Sequence, residues 1–248
     1  MKNIIIIFLI TIIVSSSINS QSLEKIISQN LNARGGLKNI KAVLSERLLG
    51  NISFDGKNSG PFSVTMKRAD LMREEFSLKG KTIIRILNKN SGWILNPYNT
   101  KDTLQTLSPE IIKEMKNGSD FDGPLVDNKI KGNKIKLIGK VTVEGKTAYK
   151  LMIAQKDGET RYDYIDSLSN LEIKWEGTIG SGKNKHPVES YFRNYKNVDG
   201  LMFAFEIDSD SPGSKGKQKI IFDKIEINPK LDLSIFQKSS LIHSTSDK

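Results

Sequence analysis

From about residue 45 almost to its C-terminus, the chain alternates apolar and polar side chains with a period of two. Phe62, Val64 and Met66 alternate with Ser63, Thr65 and Lys67; Ile135, Leu137, Val141 and Val143 alternate with lysines and Thr142; Leu201, Phe203, Phe205 and Ile207 face away from Glu206. Successive side chains of a strand point to opposite faces, so this pattern specifies half-buried strands and excludes long amphipathic helices. The breaks are short: Asp55-Gly56, Lys79-Gly80, Glu144-Gly145, Asp157-Gly158 and Asp199-Gly200. Turns of that kind join neighbouring antiparallel strands, so the expectation is a meander. About a dozen strands are expected, near residues 46–54, 61–68, 71–78, 81–88, 92–95, 134–143, 147–155, 160–166, 171–179, 188–197, 201–208 and 218–227, with ends good to ~2–4 residues.

Helical spacing occurs at three places. Leu23, Ile26, Ile27 and Leu31 form a stripe stopped by Gly35-Gly36, and Leu37, Ile40 and Val43 suggest a short second helix or turn. Ser108-Pro109-Glu110 combines a capping hydroxyl, a proline at the first helical position and an acid in the first turn, and Ile111, Ile112 and Met115 then mark an apolar face. Before all of these, Met1-Lys2-Asn3, the apolar run Ile4 to Val14 and the polar stretch to Ser20 have the layout of a cleavable export signal, too short in its apolar part to span a bilayer stably. The expected organisation is a signal peptide over 1–20, one domain over 21–236 and a loose tail over 237–248. Export to the periplasm follows from the signal.

Several chemistries can be set aside. GTIGSGKN, residues 177–184, nearly matches a phosphate-binding loop, but Asn184 replaces the metal-binding hydroxyl, Pro187 opposes a helix start, and the alternating run Leu171 to Glu176 reads as a half-exposed strand. No nucleotide site is expected; a solvated hairpin loop is. With no cysteine in the chain there is neither a disulfide framework nor a thiolate centre. The acids of DFDGPLVDN, residues 120–128, lack the ligand spacing of a calcium loop, so a structural turn anchored by Phe121 and Leu125 is expected and no metal. Only His186 and His243 are present, neither in a rigid setting, and Glu74, Glu75, Asp163 and Asp166 are expected on the solvent face. No catalytic residue and no cofactor is expected. The formal net charge of +10 favours anionic surfaces, yet the lysines are dispersed without an aromatic platform, which argues against nucleic acid. No segment after the signal is apolar enough to span a membrane.

Some strands are apolar on both faces: Met72, Phe76 and Leu78 beside Leu71, Ile84 and Ile86 beside Ile83 and Leu87, and Ile220 and Phe222 beside Ile221, Ile225 and Ile227. Such a sheet must be covered on both sides or curl over a core. The order ARGGLKNIKAV, GWILNP, SPEIIKEM, DFDGPLVDN, GKVTVEGKTAYKL, YDYIDSLSNLEIK, YFRNYKNVDGLMF and KIEINPKLDLSIF resembles exported proteins of the LolA-like family, the outer-membrane lipoprotein-sorting proteins. The resemblance implies a mainly β (α+β) fold, a strongly curved antiparallel meander forming an incomplete barrel, closed by an N-terminal helix and a mid-chain lid helix. It implies a non-enzymatic carrier of acyl chains of lipoproteins or other lipids, passing cargo from an inner-membrane release complex to an outer-membrane acceptor; a monomer is expected. A functional arginine on an early strand is also implied, Arg47 being the nearest by position.

The residues expected to meet hydrophobic cargo are Met66, Met72, Phe76, Trp93, Ile111, Ile112, Met115, Phe121 and Leu125. Burial of about ten methylenes at about 0.8 kcal/mol each would give micromolar, reversible binding. The alternative is a non-enzymatic docking or structural module of the cell envelope with a basic, membrane-facing surface.

Overall fold

A computed structural model describes residues 13–100, 103–179, 185–210 and 217–243, without the side chains of residues 13–22, Ile179 and His243. Helix α1 (Ile13–Ala33) and the short α2 (Leu37–Ala42) precede strands β1 (Ser45–Phe54), β2 (Asn58–Lys67), β3 (Leu71–Leu78), β4 (Lys81–Asn88), β5 (Ser91–Leu95) and β6 (Leu104–Thr106). Helices α3 (Pro109–Gly118) and α4 (Asn128–Lys131) follow. Then come β7 (Lys134–Val143), β8 (Lys146–Ala154), β9 (Thr160–Asp166), β10 (Glu172–Ile179), β11 (His186–Val198), β12 (Leu201–Asp210) and β13 (Lys217–Ile227), and the chain ends with a 3-10 turn at Leu233–Phe236 and α5 (Ser239–His243).

The strands form one antiparallel sheet of 13, in the order β6-β5-β4-β3-β2-β1-β13-β12-β11-β10-β9-β8-β7. Every neighbour is also the next strand in sequence, except where β1 meets β13 along Glu46↔Ile227 to Phe54↔Gln218. The sheet is thus two meanders joined at their first and last strands, and because β6 and β7 do not pair with each other the barrel is incomplete. At the joining seam Gly50 starts a bulge, and a Cβ there would stand 2.1 Å from the Ile221 carbonyl oxygen.

Because β6 and β7 are the two opposite edges, residues 107–133 must run from one edge to the other, and they do so across one face, hereafter the inner face. There α3 packs on β2–β5, and α1 packs on β7–β9 through Leu23, Ile26 and Ile27 against Leu151, Ile153 and Ile165. Alternation puts Ile84 and Ile86 on the outer face, where Phe236 and Leu241 cover them. At Ile86 and Leu87 both faces of β4 are therefore roofed, which explains the doubly apolar sequence there.

Three expectations need correction. The C-terminal segment is not loose over Ser239–His243: it forms α5, and Leu241 is fully buried because the outer face of β3–β5 is otherwise naked. Asp163, Asp166 and Glu74 are not on a solvent face, since the helices roof the inner side of the sheet and the turn after β9 folds around Asp166. The strand β6 and helix α4, three and four residues long, went unrecognised because they are too short to show a period. Of the expected signal segment, residues 1–12 lie outside the described residues. So do residues 180–184 of the glycine-rich stretch, whose flanking strands β10 and β11 pair as an antiparallel hairpin.

Candidate functional site

Helix α3 is assembled as its sequence specifies. The Ser108 hydroxyl accepts from the Ile111 N–H at 3.4 Å, Pro109 opens the helix, and Met115 is buried. Its apolar face meets the inner side of the first meander: Met115 joins Val64, Met66, Met72, Leu87 and Leu107, with Ile111, Ile112 and Phe121 packed around them. On its other flank, Lys113 Nζ is 2.8 Å from Asp157 and 4.0 Å from Glu159 in the β8–β9 turn, so the helix bridges from one meander to the other.

The irregular stretch after α3 is pinned by arginines. Arg68 holds the Asp122 carboxylate with two contacts of 3.1 and 2.8 Å, donates to the carbonyls of Val43 and Ile40, and lies 5.0 Å over the Phe121 ring. Arg34 donates to the carbonyls of Asp122 and Phe121. Non-repetitive backbone leaves carbonyls unpaired, and guanidinium groups satisfy them with fixed geometry. DFDG is accordingly a structural turn. Among the described residues no group of three or more His, Cys, Asp or Glu could hold a metal ion.

Beyond the packed cluster the inner face carries charge and then becomes apolar again. Along β3 the inward series is Met72, Glu74, Phe76; opposite on β4 stand Leu87, Arg85 and Ile83. Arg85 Nη2 is 2.5 Å from Glu74, and Arg85 Nε has no hydrogen-bond partner among the described residues. Glu114 of α3 approaches this pair: partial burial raises its carboxyl above the usual range, with Arg85 opposing and Glu74 adding. Past Phe76 lies a hollow of about 440 Å³ lined by Phe54, Asn58, Phe76, Leu78, Lys79, Ile83 and Tyr98. The rings of Phe54 and Phe76 are 6.3 Å apart and tilted, and Tyr98, which donates to the Leu78 carbonyl, stands at the rim with Lys81 over its ring.

Of the residues singled out in the sequence, Met66, Met72, Ile111, Ile112, Met115 and Phe121 share the cluster beneath α3, and Phe76 lines the hollow. Leu125 is in a different cluster, with Ile26 of α1. Trp93 pairs with Ile86 and so faces outward, packed beneath the C-terminal segment. Arg47 pairs at 3.2 Å with Glu226 on the neighbouring β13. Sequence reasoning missed Phe54, Leu78, Ile83 and Tyr98. The available signal was positional: Phe54 and Leu78 are large apolar residues immediately before turns, where polar residues are usual.

A second buried polar group lies under α1. Arg161 Nε is 2.6 Å from Asp163 and its Nη2 is 3.0 Å from Glu172, while the Tyr195 hydroxyl donates to the Glu172 carbonyl at 2.7 Å. Burial and then the Asp163 charge push Glu172 up to about 8, and Asp163 is raised by burial too, so the pair retains a proton near neutrality.

No family model matches the sequence, and no curated protein matches it. Solved structures match the fold. One is a DUF1329 family protein from Desulfovibrio piger, with a TM-score of 0.60 and 12% identity over 88% of this chain and 98% of that one. Another is a LolA superfamily protein from Nitrosomonas europaea, with a TM-score of 0.57 and 12% identity over 87% and 98%. A third, from Vibrio parahaemolyticus, is described as an outer membrane lipoprotein-sorting protein domain, with a TM-score of 0.56 and 11% identity over 88% and 97%. The open 13-stranded antiparallel sheet, crossed on its inner face by helices, is a LolA-like fold.

Proposed function

We propose that the protein is a periplasmic carrier that shelters acyl chains or other hydrophobic cargo on its inner face, lipoproteins bound for the outer membrane being the first cargo to test. The observation that carries this reading is the hollow of about 440 Å³, open to solvent, whose apolar lining comes from β1, β3 and β4 with Tyr98 at the rim. A cavity of ~150 Å³ admits benzene. The hollow is roughly three times that size, room for one long acyl chain. Helix α3 acts as a lid: with Gly118 at its end and Gly123 in the following turn it moves when Lys113 leaves Asp157, joining the hollow to the methionines at 66, 72 and 115, whose side chains adapt to varied chains. Delivery from a release complex to an outer-membrane acceptor, by a monomer exported on its N-terminal signal, belongs to the same reading.

The test is a fluorescent fatty acid titrated into the purified protein, with native mass spectrometry of the product. We expect saturable micromolar binding that weakens at least tenfold in Ile83→Trp, which fills the hollow without altering the outer face. Binding unchanged by that substitution would remove the hollow from the mechanism, and no binding of any acyl probe would end the carrier reading.

A further inference from the structure

The carrier reading leaves the β7 edge unused. The turn α4 and the outward side of β7 expose Lys129, Ile130, Lys134, Lys136 and Ile138, and Lys156 of the β8–β9 turn lies against Gly132, with side-chain carbons 3.3 Å from where a Cβ would stand. Ile130 is 85% exposed and Ile138 49%. Ile135 and Leu137 turn inward against α1, so Lys134 and Lys136 point the other way by the pleat, and Ile138 is the extra residue of a bulge between Leu137 and Gly139. The neighbouring acids are engaged elsewhere, Asp120 with Lys131, Asp127 with Lys41 and Asp157 with Lys113. Lys129, Lys134, Lys136 and Lys156 therefore form no ion pair among the described residues, and their charge stands uncompensated around two bare isoleucines.

We propose that this edge is a docking surface for an anionic lipid bilayer, with Ile130 inserting at the interface and the four lysines facing the head groups. Clustered lysines are drawn to the negative potential of anionic lipid, and an exposed aliphatic side chain among them gains by leaving water for the acyl boundary. Lysine on an edge strand also prevents sheet-to-sheet aggregation. That role accounts for Lys134 and Lys136, but places no demand on Ile130, on Lys129 in the turn, or on Lys156 in the next hairpin. Since β7 borders the unclosed side of the barrel, docking here sets that side over the membrane.

The test uses the purified protein, its N-terminus read by mass spectrometry, and vesicles of phosphatidylglycerol with phosphatidylethanolamine against vesicles of phosphatidylcholine alone. Sedimentation with the anionic vesicles is expected, falling as salt rises, and weakening about fivefold for each lysine replaced by glutamine. Emission from an Ile130→Trp variant should shift to the blue with anionic vesicles, whereas a Leu168→Trp variant, at an 89% exposed position beyond the opposite end of β9, should not respond. Vesicle binding unchanged in the fourfold Lys→Gln variant, a response at position 168 in place of 130, or no binding at all would overturn the proposal. Retention on a polyglutamate matrix without vesicle binding would likewise overturn it, in favour of an acidic protein partner. Acyl-probe affinity measured on the same variants is expected to be unchanged, which keeps this outcome separate from that of the carrier reading.

Discussion

Glu46 shows how a single side chain reports on the roof of the sheet. It is the second residue of β1, is 7% exposed, and burial drives its carboxyl from 4.5 to about 7 despite the opposing fields of Arg34 and Arg68. The unfolded chain titrates near the lower value, so the neutral form's stabilising effect is complete below about pH 4.5 and is lost as pH rises through 7. Glu46→Gln should therefore match the wild type at low pH and exceed it at pH 8, by up to roughly 3 kcal/mol at ~1.4 kcal/mol per unit. Urea unfolding at the two pH values measures the difference, and an equal gain at both would show that the carboxyl is not the cause. Burial of this kind was only partly legible: Glu74 is in phase with Met72 and Phe76, whereas for Glu46 and Asp163 only the helices lying over that face distinguish them from solvated carboxylates.

At the scale of elements, local chemistry and long-range packing part company. Helix α3 follows from Ser108, Pro109 and Glu110 alone, and the hairpins follow from their turn residues, several of which, such as Asp55 and Asp199, adopt the left-handed conformation that Asp and Asn tolerate. The C-terminal strap does not follow from its own sequence. Phe236 is fully buried against Ile84, Ile86 and Leu95, and Arg73 fixes the strap further through the Ile235 carbonyl and the Ser240 hydroxyl. Phe236→Ala is expected to cost about 3–5 kcal/mol, while Ile242→Ala, at a position 52% exposed, should stay within ~0.5 kcal/mol. Thermal or chemical unfolding of the two variants decides whether the strap is structural.

For the whole molecule, the meeting of β1 with β13 joins the first strand to the last, so the centre of the sheet is made from the most distant parts of the chain. Amide hydrogen exchange should be slowest in β1, β2 and β13, which have partners on both sides, and fastest in the edges β6 and β7; edges exchanging as slowly as the centre would point to a closed barrel or a covering partner. Strand positions, turns, α3 and the greasy character of both faces were determined by the sequence, because period and turn chemistry are local properties that each segment carries with it. Only the tertiary structure decided that β6 and β7 lie on opposite edges, that Trp93 faces outward while Phe76 and Ile83 face the hollow, and that the tail is a strap. Alternation says which residues share a face, but which face is inside is fixed by what the rest of the chain lays upon it.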